Sequence, residues 1–142
     1  ETAAMSDATA SLLNPLGVHS PIGAYSHVAR ATSGTTLYLA GQVGIDAAGN
    51  LVGDGGAREQ TLQTFRNIGQ VLKGAGASWA NVVQFTTYLV GRASVEPFLE
   101  ARREAFAEVY PDGAYPPNTL VLVAGLVREE LLVEASAIAT IP

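Results

Sequence analysis

The sequence contains no cysteine. This absence excludes disulfide bonds, thiolate catalysis and thiolate metal sites, and it fits a reducing cytoplasm, where we expect the protein to reside. Histidine is also scarce, because His19 and His27 are the only two. Their spacing is not the one that places two imidazole ligands on the same face of a helix. Most kinds of metal site are therefore disfavoured.

Basic residues are few and scattered along the chain. Eight lysines and arginines stand against 13 acidic residues, which gives a formal net charge of −5 at pH 7. A negative chain without a basic patch lacks the electrostatic footprint of a nucleic-acid-binding protein, so we expect no nucleic-acid partner. The only lysine, Lys73, is followed by Gly74, and the sequence has no G-K-[ST] loop, no dinucleotide-binding glycine motif and no G-x-S-x-G elbow. Nucleotide-dependent and serine-hydrolase chemistry are disfavoured as well.

Long hydrophobic runs are missing too. None approaches the roughly 18 residues needed to span a membrane, so we expect no membrane partner. Hydrophobic residues still make up 48% of the 142 residues, which is enough to fill the core of one domain. We predict a flexible N-terminal segment over residues 1–12, which are mostly small or polar, and a single domain over residues 13–142.

The C-terminal stretch carries the most informative pattern. Residues 120–124 form an unbroken apolar run, which is typical of a buried strand. Residues 131–141 alternate instead, with an apolar side chain at every odd position. Because successive strand side chains point to opposite faces, one face would pack on a core and the other would carry Glu134. A carboxylate there is costly to bury unless it is paired or hydrogen-bonded, so Glu134 is a candidate functional residue.

The remaining pattern predicts further strands over residues 24–32, 36–43 and 81–90 and helices over residues 57–73 and 95–110. The first two strands, joined by a short Ser-Gly turn, would form a hairpin. The resulting order, ββ-α-β-α-ββ, indicates an α+β fold with a sheet of five to six strands and two helices on one face. Because several strands are apolar on both faces, we expect the uncovered face to meet other copies of the chain.

Five short motifs lie in register between residues 14 and 141 of this sequence. They are Pro21-Ile22-Gly23-Ala24-Tyr25-Ser26, Leu39-Ala40-Gly41-Gln42, Asn67-Ile68, Tyr115-Pro116-Pro117-Asn118-Thr119 and Leu132-Val133-Glu134-Ala135. Each motif alone is weak, whereas the set is specific. Together they make the chain resemble the RidA/YjgF family, which is also labelled the endoribonuclease L-PSP family.

The resemblance implies a fold and an activity. The fold would be chorismate-mutase-like, a single α+β domain with a mixed sheet, and the assembly would be a homotrimer with ligand clefts between subunits. The family's best-known members hydrolyse reactive enamines and imines to keto acids and ammonia without a metal or cofactor. A small-molecule ligand in the inter-subunit cleft is therefore the expected partner.

The resemblance also implies site residues. Tyr25 matches the family's cleft tyrosine, Gly41 matches the glycine whose backbone meets the ligand, and Glu134 matches the glutamate thought to position or activate water. Glu134 and Tyr25 are therefore the expected catalytic residues. Gly41, Asn118 and Glu100 are the expected ligand-binding residues.

One departure from the family pattern concerns Asn118. Archetypal members carry an arginine at this position, and its guanidinium clamps the substrate carboxylate, whereas an asparagine offers amide donors without charge. A cleft that holds Glu134 and Glu100 but no aligned arginine should repel an anionic acid. Arg102 and Arg103 lie on the second predicted helix, where a solvated helix face is their expected place, and they would compensate only if they reached the cleft.

Two functions remain open at this point. The preferred one is a hydrolytic deaminase of a reactive enamine or imine whose substrate is neutral or cationic rather than a typical 2-imino acid; the retained Tyr25, Gly41 and Glu134 favour it. The alternative is a non-catalytic, small-molecule-binding or stress-protective trimer of the same fold, which Asn118 favours. A ribonuclease or translation-inhibitor role, attached to some relatives, is disfavoured by the acidic balance of the chain.

Overall fold

The computed structural model of the chain describes residues 10–32 and 34–142. In chain order the elements are β1 (Ala10–Leu13), β2 (Val28–Ala31), β3 (Thr35–Val43), α1 (Ala57–Gly74), β4 (Val82–Val90), α2 (Val95–Val109), β5 (Asn118–Val123) and β6 (Val133–Ile141). Residues 1–9 of the predicted flexible segment lie outside the described residues. Residues 10–12 of that segment belong to β1.

The main sheet has four strands in the order β3-β6-β4-β5. β6 runs antiparallel to both of its neighbours, and β5 runs parallel to β4. The expected α+β class, with a mixed sheet and two helices, is confirmed. The expected count of five to six strands in one sheet is corrected for the described part of the chain, because β1 and β2 form a separate two-stranded sheet.

The predicted hairpin of residues 24–32 with residues 36–43 is wrong. The first strand is shorter, Val28–Ala31, and it pairs with β1, whereas β3 pairs with β6. Gly34 supplies a physical reason, because it has a positive φ of 114° and a Cβ atom built on it would lie 1.9 Å from the carbonyl oxygen of Ile141. The turn before β3 therefore packs directly on the end of β6. Apolar alternation identifies a strand but does not choose its partner.

The core lies between the main sheet and the two helices. The odd-numbered side chains of β6 from position 133 to 139 are one valine and three alanines, and they are only 0 to 3% exposed. Such small side chains allow α1 to approach the strand closely. Phe65 of α1 and Phe106 of α2 pack on each other with ring centroids 5.2 Å apart. The same cluster contains Ile68, Leu72, Val82, Phe85, Leu89 and Phe98.

The opposite face of the main sheet carries Glu134. The even-numbered side chains of β6 point to this face, and strand register places Tyr38 of β3 and Val121 of β5 on it as well. Tyr38 is 78% exposed and Val121 is 39% exposed. We call this surface the open face. Large apolar side chains on an exposed sheet are typical of a surface that meets another protein.

A buried glutamine ties α1 to the chain that leads into β6. Gln60 is fully buried, and its side-chain nitrogen donates to the carbonyl oxygens of Gly55 at 3.2 Å and Glu130 at 2.9 Å. Its side-chain oxygen accepts a hydrogen bond from the backbone N–H of Leu132 at 2.8 Å. The helix therefore holds the backbone just before Glu134. Both the nitrogen and the oxygen of the buried Gln60 amide have hydrogen-bond partners.

Replacing Gln60 by methionine should lower the free energy of unfolding by about 3 kcal/mol, because two backbone carbonyls and one backbone N–H lose their partner. Urea denaturation measures this loss. The matched control is Gln70→Met, the same change at an exposed position of α1, which should stay within about 0.5 kcal/mol of the parent. Equal losses in the two variants would contradict the role given to Gln60.

Candidate functional site

Glu134 is half-buried in the middle of the main sheet. It is the second residue of β6, and it pairs in register with Val43 on one side and with Tyr88 on the other. A residue that is hydrogen-bonded between two strands has a firmly placed backbone, so the carboxylate starts from a fixed point on the open face.

Gly41 makes room for that carboxylate. β3 carries a bulge here, because the register passes from Leu39 opposite Ala137 to Gln42 opposite Ala135. A Cβ atom built on Gly41 would lie 2.4 Å from Oε2 of Glu134, a separation that real Cβ atoms do not show. Only glycine is compatible with the observed position of this carboxylate. The structure therefore brings together Glu134 and Gly41.

An asparagine on α1 secures the end of β3 beside this pair. The side-chain nitrogen of Asn67 donates to the carbonyl oxygens of Val43 at 2.9 Å and Ile45 at 2.8 Å, and its oxygen accepts from Gln63 at 2.8 Å. Val43 is the register partner of Glu134. The sequence places Asn67 in one of the five motifs but does not indicate what its side chain does. For Gln60 the sequence gives only a polar residue next to the apolar stripe of a helix, which does not predict its hydrogen bonds.

Tyr25 lies on the helix side of the sheet rather than on the open face. It is half-buried, and its hydroxyl oxygen accepts a hydrogen bond from the backbone N–H of Ile22 at 3.3 Å. A Cβ atom built on Gly23 would lie 3.9 Å from the Tyr25 ring and 3.5 Å from a guanidinium nitrogen of Arg102 on α2. Within one protomer, Tyr25 is therefore a neighbour of α2, and the side chain of Glu134 points to the opposite side of the sheet.

Asn118 also faces the helices. It is the first residue of β5 and pairs in register with Phe85, whose side chain belongs to the core. Its side-chain oxygen accepts a hydrogen bond of 2.9 Å from the hydroxyl of Thr87, which is 2% exposed. Glu100 is exposed on α2. The structure thus does not bring Tyr25, Asn118 or Glu100 onto the face that carries Glu134 in a single protomer.

The two arginines of α2 were both expected on a solvated helix face. That expectation is met by Arg103 and is wrong for Arg102. Arg103 is exposed, whereas Arg102 is only 7% exposed. Its guanidinium carbon lies 5.4 Å from the ring centroid of Phe98 and 5.9 Å from that of Phe106. Burial lowers the pKa of Arg102 below its usual value, and nearby Tyr115 opposes that shift. Helical periodicity alone did not indicate that a charged residue would point inward.

Two cavities in the described part of the chain lie away from Glu134. One of about 440 Å³ lies between α1 and α2 and is lined by residues such as Arg66 and Glu104. Another, of about 370 Å³, lies beside Tyr110. Neither is lined by Glu134. In residues 10–32 and 34–142, no three histidine, aspartate or glutamate side chains are grouped so that they could hold a metal ion, and no helix there is long and apolar enough to cross a membrane.

Comparison with known proteins identifies the family. The family model described as Endoribonuclease L-PSP matches residues 17–141. The chain belongs to this family, the RidA/YjgF family. Its membership confirms the resemblance carried by the five motifs.

Relatives in the RidA/YjgF family match most of the chain. A protein of Mus musculus named 2-iminobutanoate/2-iminopropanoate deaminase is 34% identical over 118 residues, which cover 83% of this chain and 82% of that protein. A RutC family protein of Pyrococcus horikoshii is 34% identical over 119 residues, which cover 84% and 88% respectively. A crystal structure of a Yersinia pestis protein of unknown function, from the conserved Rid family, has a TM-score of 0.82 at 32% identity and covers 94% of this chain and 99% of that one.

Adding a side chain at Gly41 should strain the position of Glu134. Gly41→Ala should lower the free energy of unfolding by about 1 kcal/mol or less, because the crowded atoms lie at the end of a flexible side chain that can shift. The loss should largely disappear in the double variant Gly41→Ala, Glu134→Ala, because the crowded atoms belong to the Glu134 side chain beyond its Cβ. Chemical denaturation of the four proteins in this cycle measures the coupling.

Gly125→Ala is the matched control for that cycle, because a Cβ atom built there meets nothing within 4 Å. Its stability should not depend on whether residue 134 is glutamate or alanine. Additive losses for Gly41→Ala and Glu134→Ala would show that the two residues do not touch.

Proposed function

We propose that the protein is a hydrolytic deaminase that acts on a reactive enamine or imine. The observation that carries this proposal is the contact between Glu134 and Gly41, a half-buried carboxylate held over the backbone of a glycine in a strand bulge. The relatives named 2-iminobutanoate/2-iminopropanoate deaminase support the same class of reaction.

The chemistry suits one carboxylate and one water molecule. An imine carbon is electrophilic, so an oriented water can add to it once a base takes its proton. Glu134 would accept that proton and return it to the nitrogen, which leaves as ammonia while the carbon becomes a carbonyl. An imine and a water thereby give a carbonyl compound and ammonia. Gly41 would bring its backbone polar groups close to the ligand.

A complete site would need more than one copy of the chain. Within one protomer the Glu134 side chain lies on the open face, while those of Tyr25 and Asn118 lie on the helix side of the sheet. A ligand that touches all three must therefore lie between copies. We propose a homotrimer whose subunits meet through the open face, which would bury Tyr38 and Val121 and place Glu134 at a shared cleft.

The substrate would be neutral or cationic rather than a typical 2-imino acid. Asn118 carries no charge, and its side-chain oxygen is already engaged by Thr87. A carboxylate bound there would lack the two charge-assisted bonds that a guanidinium makes. The same observation favours the second candidate, a trimer that binds a small molecule without converting it.

Replacing Glu134 by glutamine tests the reaction. An imine generated in the assay by an amine oxidase, and so lacking a carboxylate, should be hydrolysed by the parent protein faster than one generated by an amino-acid oxidase. Semicarbazide captures the remaining imine and reports its lifetime. Glu134→Gln should lower the rate by about 10²- to 10⁴-fold, the usual contribution of a positioned acid–base group.

Glu129→Gln is the matched control, the same change at an exposed glutamate, and should leave the rate unchanged. Hydrolysis that survives Glu134→Gln would refute the role given to Glu134. A parent protein that binds such imines or their carbonyl products without accelerating hydrolysis would support the non-catalytic alternative instead.

The assembly is tested separately. Gel filtration with light scattering should give a mass about three times 14.7 kDa at micromolar concentration. Tyr38→Lys should shift the protein toward monomers, because it places a charge in the proposed contact. Arg92→Lys, at another exposed position, is the control. A stable monomeric parent would exclude the shared cleft.

A further inference from the structure

The cavity beside Tyr110 lies where β1, the beginning of β4 and the end of α2 meet. Its volume is about 370 Å³, which falls within the range of small-molecule sites, roughly 300–1,000 Å³. We call it the Tyr110 cavity. Neither Tyr25, Asn118 nor Glu134 lines it, so it is separate from the residues of the proposed reaction. Most of its wall is aliphatic or aromatic, through Leu12, Trp79, Val82, Val109, Tyr110 and Pro116.

Two aromatic rings form a corner of the Tyr110 cavity. The ring centroids of Trp79 and Tyr110 are 6.1 Å apart, and the ring planes meet at 82°. The Tyr110 hydroxyl donates to the carbonyl oxygen of Trp79 at 2.9 Å, which holds the two residues together. The Tyr110 ring also packs on Phe106 with centroids 5.0 Å apart. The corner is therefore fixed before a ligand arrives, which reduces the entropy lost on binding.

The charge at the rim of the cavity is negative. Asp112 is the one charged residue among the described residues that line it. The Asp112 side chain is exposed, and no basic side chain of residues 10–32 and 34–142 forms an ion pair with it. Aromatic rings carry negative charge on their faces, so rings and carboxylate attract the same kind of ligand, a cation.

Hydrogen-bond donors are scarce around the cavity. Pro111 and Pro116 have no backbone N–H. The backbone N–H of Tyr110 donates to the carbonyl oxygen of Phe106 at 2.9 Å, and its hydroxyl donates to Trp79. Burial raises the pKa of Tyr110 above its usual value, so the hydroxyl stays neutral and keeps that bond. An anion would find little here to replace its hydration.

We propose that the Tyr110 cavity binds a small organic monocation with an alkylated ammonium group. Such a group has few or no N–H donors to satisfy, and its alkyl groups suit aliphatic walls such as Leu12 and Val82. Its positive charge suits the rings of Trp79 and Tyr110 and the carboxylate of Asp112. Aromatic walls are the usual means by which proteins recognise quaternary ammonium ligands.

Titration with choline chloride tests the site, with sodium chloride keeping the ionic strength constant. Trp79 is the only tryptophan in the sequence, so its fluorescence should change as one choline binds per chain. The matched ligand is 3,3-dimethyl-1-butanol, which has nearly the same shape as choline but no charge. It should bind about tenfold more weakly, because it lacks both the cation–π and the Coulomb attraction.

Variants locate the ligand, because Trp79 also lines the cavity between α1 and α2. Asp112→Asn should weaken choline binding about threefold, a modest effect because the lost charge is exposed. Asp54→Asn, the same change at an exposed aspartate that does not line the cavity, should leave the affinity unchanged. Trp79→Leu, followed by calorimetry, should weaken binding about fivefold or more, since one aromatic wall is lost.

Several results would overturn the proposal. They are a parent protein that binds no choline by fluorescence or calorimetry, equal affinity for 3,3-dimethyl-1-butanol, equal affinities in Asp112→Asn and Asp54→Asn, or binding of 3,3-dimethylbutanoate as tight as that of choline. Thermal unfolding checks that the variants fold, and Asp112→Asn decides the question if Trp79→Leu does not fold. The titration needs no catalysis, so its result is independent of the reaction proposed at Glu134.

Discussion

The two-sided pairing of β6 is the constraint on which the rest of the structure depends. This strand is hydrogen-bonded to β3 on one edge and to β4 on the other, so its residues cannot change face without breaking both ladders. Its alanines allow α1 to pack closely on one side. The same alternation necessarily presents Glu134 on the other side. Core packing and the position of the candidate functional group are therefore consequences of one register.

Two side-chain amides of α1 reinforce that register from the helix side. Gln60 holds the backbone that enters β6, and Asn67 holds the backbone that leaves β3. The backbone of Val43 and the backbone just before its register partner Glu134 are therefore both hydrogen-bonded to α1. A carboxylate that must meet a ligand at a fixed distance benefits from such support, because small misplacements of a reacting group are costly in rate.

The charged groups divide between the two sides of the sheet. Glu134 lies on the open face, whereas Arg102 belongs to α2 and its guanidinium lies over the rings of Phe98 and Phe106. Asn118 is held at the sheet edge by a hydrogen bond from the hydroxyl of Thr87. The protomer thus separates its candidate base from its buried cation.

The sequence by itself determined the α+β class, the two helices, the strand over the C-terminal stretch and the side of that strand on which Glu134 lies, because these follow from local periodicity. The five motifs were also sufficient to indicate the family. Tertiary structure alone decided that β3 pairs with β6 rather than with β2, that Gly41 lies against the Glu134 carboxylate, and that Arg102 is buried while Arg103 is exposed. Those outcomes depend on contacts between residues far apart in the chain, such as Gly34 with Ile141, and local periodicity carries no information about such contacts.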